Sequence, residues 1–120
     1  MTHDDFARWL DAYVDAWRTY DPAAIGALFS DEAEYRYRPW GEPVRGRDAI
    51  VASWLDNRDE PGTWEAAYRP FAVDGDHAVA TGTSRYDNAD GKQGYHNVFL
   101  CRFDADGRCR EFTELFAQEY

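Results

Sequence analysis

Apolar and polar positions divide the chain into a helical first half and a stranded second half. Phe6, Trp9, Leu10, Tyr13, Val14 and Trp17 recur at three- and four-residue intervals, with Asp4, Asp5, Asp11, Asp15 and Arg18 on the other side. That spacing predicts an amphipathic helix, and acidic residues crowd its first turn, where the helix dipole favours them. Asp21-Pro22 supplies an N-cap and a first helical residue for a second, short helix with Ile25, Leu28 and Phe29 as its buried stripe, ending near Ser30-Asp31. Residues 33–40 then alternate, Tyr35 and Tyr37 against Glu34, Arg36 and Arg38, and stop at Pro39 and Gly41-Glu42-Pro43. This predicts a short strand with Trp40 at a pocket rim. Gly46-Arg47-Asp48 leads into a third helix with Ile50, Val51, Trp54 and Leu55 on its apolar face, and residues 57–62 form a polar loop.

The remainder reads as strands. Residues 63–73 and 77–87, rich in Val, Thr and Tyr, flank the turn Asp74-Gly75-Asp76, and residues 88–94 form a loop of turn residues. Residues 95–116 form a long hairpin turning at Asp104-Ala105-Asp106-Gly107. With those four residues as the loop, Phe103 faces Arg108, Phe99 faces Phe112, Asn97 faces Glu114 and Tyr95 faces Phe116. Period-two alternation gathers Tyr95, Asn97, Phe99, Cys101, Phe103, Phe112, Glu114 and Phe116 on one face. A carboxylate on that aromatic face is either paired or functional, because burying it alone is costly. Helices first and antiparallel strands last predict an α+β architecture, three N-terminal helices packed on a curved, mainly antiparallel sheet that encloses an apolar pocket.

Composition narrows the function. At 120 residues the chain predicts one domain, residues 1–120, and its 17% aromatic content suits a sheet wrapped around a pocket, though a bulky core accounts for it equally. The net charge of −10 disfavours nucleic-acid and membrane partners. The opening Met-Thr-His-Asp-Asp carries neither a basic start nor an apolar run, which predicts a cytoplasmic protein. Cys101 and Cys109 fall on opposite faces of the predicted hairpin, which argues against a disulfide. These two cysteines and His3, His77 and His96 lack metal-ligand spacing.

Order and motifs together resemble the nuclear-transport-factor-2-like superfamily, the α+β cone of ketosteroid isomerases, SnoaL-like polyketide cyclases and limonene epoxide hydrolases. The resemblance spans essentially the whole chain. It is carried by Tyr13-Val14-Asp15-Ala16-Trp17, by Asp21-Pro22-Ala23-Ala24-Ile25 through Leu28-Phe29-Ser30-Asp31-Glu32-Ala33, by Gly46-Arg47-Asp48-Ala49-Ile50, and by Phe103-Asp104-Ala105-Asp106-Gly107-Arg108 with Glu111-Phe112-Thr113-Glu114-Leu115-Phe116. The superfamily hosts several chemistries, so activity has to be argued from the site. Against ketosteroid isomerases, Tyr13 stands at the oxyanion-holding Tyr, but Tyr37 stands at the Asp base and Phe99 at the protonated Asp, which removes two of the three groups that chemistry uses. Against limonene epoxide hydrolases, Tyr35 stands at a first-strand Tyr, Arg85-Tyr86-Asp87 at an Arg-x-Asp, and Glu114 at the last-strand Asp. The resemblance implies Glu114 as base, Asp87 as acid, Arg85 as the bridge between them and Tyr35 as the donor that positions water. Tyr37 replaces the Asn that helps hold that water, with Asn97 the candidate substitute, and Glu for Asp adds one methylene.

The expected substrate pocket combines Tyr13, Trp17, Tyr37, Trp40, Trp54, Asn97, Phe99, Phe112 and Phe116. Plainer roles compete: an exposed ion pair for Arg85 and Asp87, a structural partner of Arg85, Arg36 or Arg38 for Glu114, and plain core for some of Tyr13, Trp17, Trp40, Trp54 and Trp64. His96 shares the outer face with Val98 and Leu100, and His77 follows a turn. Two functions follow as expectations: an acid-base enzyme without cofactor or metal acting on a small hydrophobic molecule, or a non-catalytic module that binds such a molecule or associates with partners. Val98 and Leu100, between His96 and Arg102, also predict a homodimer through the outer sheet face.

Overall fold

Thr2 sets the start of the first helix, α1 (His3–Thr19). Its hydroxyl accepts the Asp5 N–H at 3.0 Å and the Asp5 carboxylate accepts the Thr2 N–H at 3.1 Å, a reciprocal cap of the kind that contributes about 1 kcal/mol. Tyr20 ends the helix in the left-handed conformation, φ 50°, with its N–H bonded to the Ala16 carbonyl. Phe6, Trp9, Leu10 and Tyr13 are buried as the spacing predicts; Ala16 joins them, and Val14 and Trp17 are half-buried. The computed structural model describes residues 1–119.

Asp21 caps α2 (Pro22–Gly26), and the chain enters β1 (Phe29–Arg36) directly. This strand starts earlier than its alternation predicts because it pairs in parallel with the last strand, Phe29 opposite Cys109, a partner no local pattern reveals. β2 (Val44–Arg45) is a two-residue strand missing from the sequence reading. α3 (Arg47–Asp56) buries Ile50 and Trp54. Three strands follow, β3 (Trp64–Asp74), β4 (His77–Asn88) and β5 (Gly91–Phe103), and then β6 (Cys109–Gln118). They form one six-stranded sheet of order β2-β1-β6-β5-β4-β3, antiparallel apart from β1 with β6. The helices cover one face of it around a single aromatic core whose fully buried side chains include Phe6, Leu10, Ile25, Phe29, Ile50, Phe99 and Phe112.

Two local expectations are corrected. The predicted loop 88–94 is mostly strand: β4 and β5 stay paired to Asn88 opposite Gly91, where Gly91 at φ 97° closes the turn. The last hairpin also has a different register, because Phe103 pairs with Cys109 rather than Arg108 and a bulge follows. Phe99 therefore faces Glu114 and Asn97 faces Phe116. The slip totals two residues over most of the hairpin, an even number, so the inner face keeps its predicted residues. Cys109 is the exception. The bulge turns it inward with Cys101, and both are buried free thiols; they share a face, contrary to the expectation.

Candidate active site

Glu114 reaches the inner face of β6 because it is two residues from Phe112, which anchors the core. Its Oε2 accepts a hydrogen bond from the Asn97 amide nitrogen at 3.2 Å. The Asn97 carbonyl oxygen accepts from the Ser84 hydroxyl at 2.9 Å, which orients the amide so that its NH2 is directed to the carboxylate. Asn97 and Ser84 are almost fully buried. Burial raises the Glu114 pKa to about 7, and the Asn97 hydrogen bond offsets part of that rise. Near neutral pH the group thus holds or releases its proton at nearly equal cost.

Around it lies a cavity of about 170 Å³. Tyr13 and Trp17 reach it from α1 and Tyr20 from the end of that helix. Tyr35 comes from β1 with Tyr37 just beyond, Trp54 from α3, Asn57 and Asp59 from the following loop, Tyr68 from β3 and Tyr86 from β4. Tyr13, Tyr35 and Trp54 are buried, whereas Tyr37 and Asn57 are exposed at the opening. The volume corresponds to roughly six waters at liquid density. Aromatic edges and faces interlock along the walls: Tyr13 lies 5.1 Å from Trp54, Tyr35 stacks on Phe112 at 4.6 Å, and Trp17 stacks on Trp64 at 3.6 Å.

The lining offers hydrogen-bond donors. The Tyr13 and Tyr35 hydroxyls are 3.0 Å apart. One donates to the other, so the pair retains one O–H for a third acceptor. Burial raises both pKa values well above the ordinary value for tyrosine, with the Glu114 charge adding to the rise. Burial shifts Tyr68 and Tyr86 upward as well, with the Glu114 charge adding at Tyr68 and the Asp59 and then the Glu114 charge at Tyr86, and these phenols stay neutral donors throughout the physiological range. Trp54 is the indole left without a partner. The indole nitrogens of Trp9 and Trp17 are bonded to the Leu28 carbonyl and the Asp59 carboxylate, each at 3.0 Å, whereas the buried Trp54 Nε1 has no partner among the described residues.

Of the residues expected from sequence, Tyr13, Trp17, Tyr35, Tyr37, Trp54 and Glu114 line the cavity. Asn97 stands behind Glu114, and Phe99 and Phe112 are buried core under the floor. Trp40 is 69% exposed with Arg38 over its ring, and Phe116 is 56% exposed against Tyr95; neither lines the cavity. The bridge of Arg85 between Glu114 and Asp87 is not formed. Ala78, Ala80, Gly82, Ser84 and Tyr86 occupy the inward parity of β4, which turns Arg85 and Asp87 outward and leaves both exposed. Arg85 makes a double hydrogen bond to Glu119, which also binds His96 at 2.7 Å.

Sequence reasoning missed Tyr20, Asn57, Asp59, Tyr68 and Tyr86 as lining residues, and Ser84 as the support of Asn97. The signal for β4 was the run of small residues at every second position, which leaves room for the ring of Tyr68. Gly82 faces Tyr68 across the strands, and a Cβ there would stand 2.5 Å from the Tyr68 ring and 2.1 Å from the Ala67 carbonyl oxygen. Asp59 has no such signal, since a loop residue is placed by tertiary packing alone.

The SnoaL-like domain family model matches residues 10–112. The chain belongs to the SnoaL-like family. Solved structures of similar fold include an LEH-like epoxide hydrolase of M. tuberculosis, with TM-score 0.71, 15% identity, and coverage of 96% of this chain and 84% of that one. An NTF-2 like protein of unknown function from Burkholderia xenovorans LB400 gives TM-score 0.74 at 19% identity over 98% and 86% of the two chains. An NTF2-like protein of unknown function from Mesorhizobium loti gives 0.71 at 29% identity over 96% and 93%. Among the described residues of this SnoaL-like chain, no three His, Cys, Asp or Glu side chains gather as a metal site, and no helix is long and apolar enough to cross a membrane.

Proposed function

We propose that this SnoaL-like protein is an acid-base catalyst that works without a cofactor on a small hydrophobic carbonyl compound, with Glu114 as the proton-transferring group. The observation that carries the reading is a carboxyl poised at about 7 in the wall of an aromatic cavity, on a fixed amide partner. In its ionised form Glu114 takes a proton from the carbon next to the carbonyl, and the electron pair moves onto the carbonyl oxygen. The spare O–H of the Tyr13–Tyr35 pair is the donor for that oxyanion. Where the substrate carries a double bond one position beyond that carbon, the enolate is a dienolate; the Glu114 carboxylic acid returns the proton to its far carbon, the electron pair moves back from the oxygen, and the double bond ends conjugated to the carbonyl, which completes an isomerisation. In a cyclisation the enolate carbon attacks a second carbonyl of the same molecule and the proton goes to the new alkoxide. Both routes use one carboxylate, in keeping with the outward position of Arg85 and Asp87.

Epoxide opening is the second reading, favoured by the fold shared with an LEH-like epoxide hydrolase and by a second carboxylate, Asp59, in the same cavity. Glu114 would then take its proton from water. The outer sheet face, where Leu100 is 44% exposed, is the surface on which a second copy would pack.

The test is proton exchange followed by NMR in deuterated water over a panel of small cyclic ketones, diketones and epoxides, with wild type beside Glu114→Gln. Expected is exchange at carbons next to the carbonyl that rises with pH through about 7 and falls at least about a hundredfold in the variant. Opened epoxides without carbonyl exchange would select the second reading. Binding without either reaction would make the protein a ligand-binding module.

A further inference from the structure

The chemistry of the cavity rim leads beyond an apolar substrate. Eight aromatic side chains and two carboxylates line the cavity, and no Lys, Arg or His does. Asp59 at the rim is held by aromatic partners: its carboxylate accepts from the Trp17 indole at 3.0 Å, and its backbone N–H donates to the Tyr20 hydroxyl at 2.8 Å. Tyr86 lies 6.2 Å from Trp17 and completes the wall. Rings here already attract cations from the chain itself. The Arg58 guanidinium lies 5.5 Å from the Tyr20 ring centroid and the Arg18 guanidinium 6.0 Å from that of Trp64, the ring stacked on Trp17. A carboxylate backed by aromatic faces, one of which already holds the Arg58 guanidinium, is suited to a positively charged organic group, which gains from ring quadrupoles and Coulomb attraction while its alkyl parts lose contact with water. The chain's net charge of −10 also raises the local concentration of cations.

We propose that Asp59, Trp17, Tyr20 and Tyr86 form a cation subsite at the cavity mouth, and that the physiological substrate carries an alkylammonium group, its carbonyl end directed to Glu114 and its ammonium end to Asp59. This deepens the proposed function and rests on its reading of the cavity as a substrate site. The subsite supplies affinity and orientation, and Glu114 supplies the chemistry. Asp59 is therefore a positioning residue.

Choline and its neutral carbon isostere, in which a tert-butyl group replaces the trimethylammonium, are the probes, titrated by calorimetry and by quenching of tryptophan emission. The intact chain should bind choline at least about tenfold more tightly than the isostere. Asp59→Asn keeps an oxygen acceptor for the Trp17 indole and should reduce that preference to within about threefold, with the affinity for the isostere unchanged. Glu114→Gln should retain most of the preference. Tyr86→Leu, which removes a ring and no charge, should lower choline affinity by a larger factor than that of the isostere. Equal affinities for the two probes in wild type, no saturable choline binding below about 10 mM, or a preference that survives Asp59→Asn would each overturn the subsite. These results are separable from those of the exchange experiment: a cation preference lost in Asp59→Asn together with exchange undiminished in Glu114→Gln would leave the subsite standing and remove the proposed chemistry.

Discussion

Replacing Glu114 by Gln should stabilise the protein by an amount that grows as the pH rises from about 4.5 to about 7. In the unfolded chain the carboxyl gives up its proton near the ordinary value of 4.5, whereas in the folded state burial holds it until about 7. A carboxyl whose folded pKa is raised destabilises the fold once it ionises. Wild-type stability on this account is unaffected below about pH 4.5, falls progressively between 4.5 and about 7, and levels off above. The gap between the two values corresponds to about 3 kcal/mol, and partial contact with the cavity water reduces this to roughly 2 kcal/mol. Glutamine keeps the shape and the oxygen acceptor for Asn97 but carries no charge at any pH. The difference between variant and wild type should thus be near zero at about pH 4 and reach about 2 kcal/mol by about pH 8, or about 8 °C in Tm at roughly 4 °C per kcal/mol for a chain of this size. Thermal unfolding followed by circular dichroism at half-unit pH steps measures it directly, and no substrate is needed. A Tm difference that is independent of pH, or a variant less stable than wild type at pH 8, would refute the reasoning, since either requires that the Glu114 charge be well solvated or paired in the folded state.

Three further outcomes follow from the same geometry. Asn97→Leu removes the one hydrogen bond that pulls the Glu114 carboxyl down, so its titration, followed by carbon NMR of labelled Glu, should move above about 7; an unmoved midpoint would mean that the 3.2 Å contact carries no charge stabilisation. Gly82→Ala places a methyl group against the Ala67 carbonyl and the Tyr68 ring and should cost about 2 kcal/mol or more in denaturant unfolding, with displacement of Tyr68 read as a loss of ligand binding; near-neutral stability would contradict the close approach of β3 and β4. Arg85→Ala breaks only an exposed pair with Glu119 and should change stability by less than about 1 kcal/mol while leaving the Glu114 titration where it is. A displaced titration would return Arg85 to the site.

Most of the α1 stripe, the Ile50 and Trp54 positions of α3, the parity of β5 and most of β6, and the placement of Glu114 on an aromatic face were determined by local pattern, whereas the second helix stops at Gly26, short of the predicted end near Ser30-Asp31, and Phe29 of its expected stripe begins β1. Side-chain period depends only on the element type, and the hairpin slip of two residues preserved parity, so Asn97 and Glu114 came to the same face even though the expected cross-strand pairing was wrong. For the same reason Tyr13, Tyr35 and Trp54 were legible as buried aromatics. Tertiary structure decided the rest. Parallel pairing of β1 with β6 joins residues far apart in sequence, and no local signal carries it. The bulge between the Arg102–Glu111 and Phe103–Cys109 pairs turned Cys109 inward. The parity of β4 overrode the expectation from resemblance and placed Tyr86 where Arg85 and Asp87 had been expected, because the small residues on alternate positions, not the charged ones, occupy the buried face and leave room for the Tyr68 ring. The value of about 7 for Glu114 is tertiary as well: it arises from how much water the fold removes from one carboxylate, and an amino-acid string carries no measure of that.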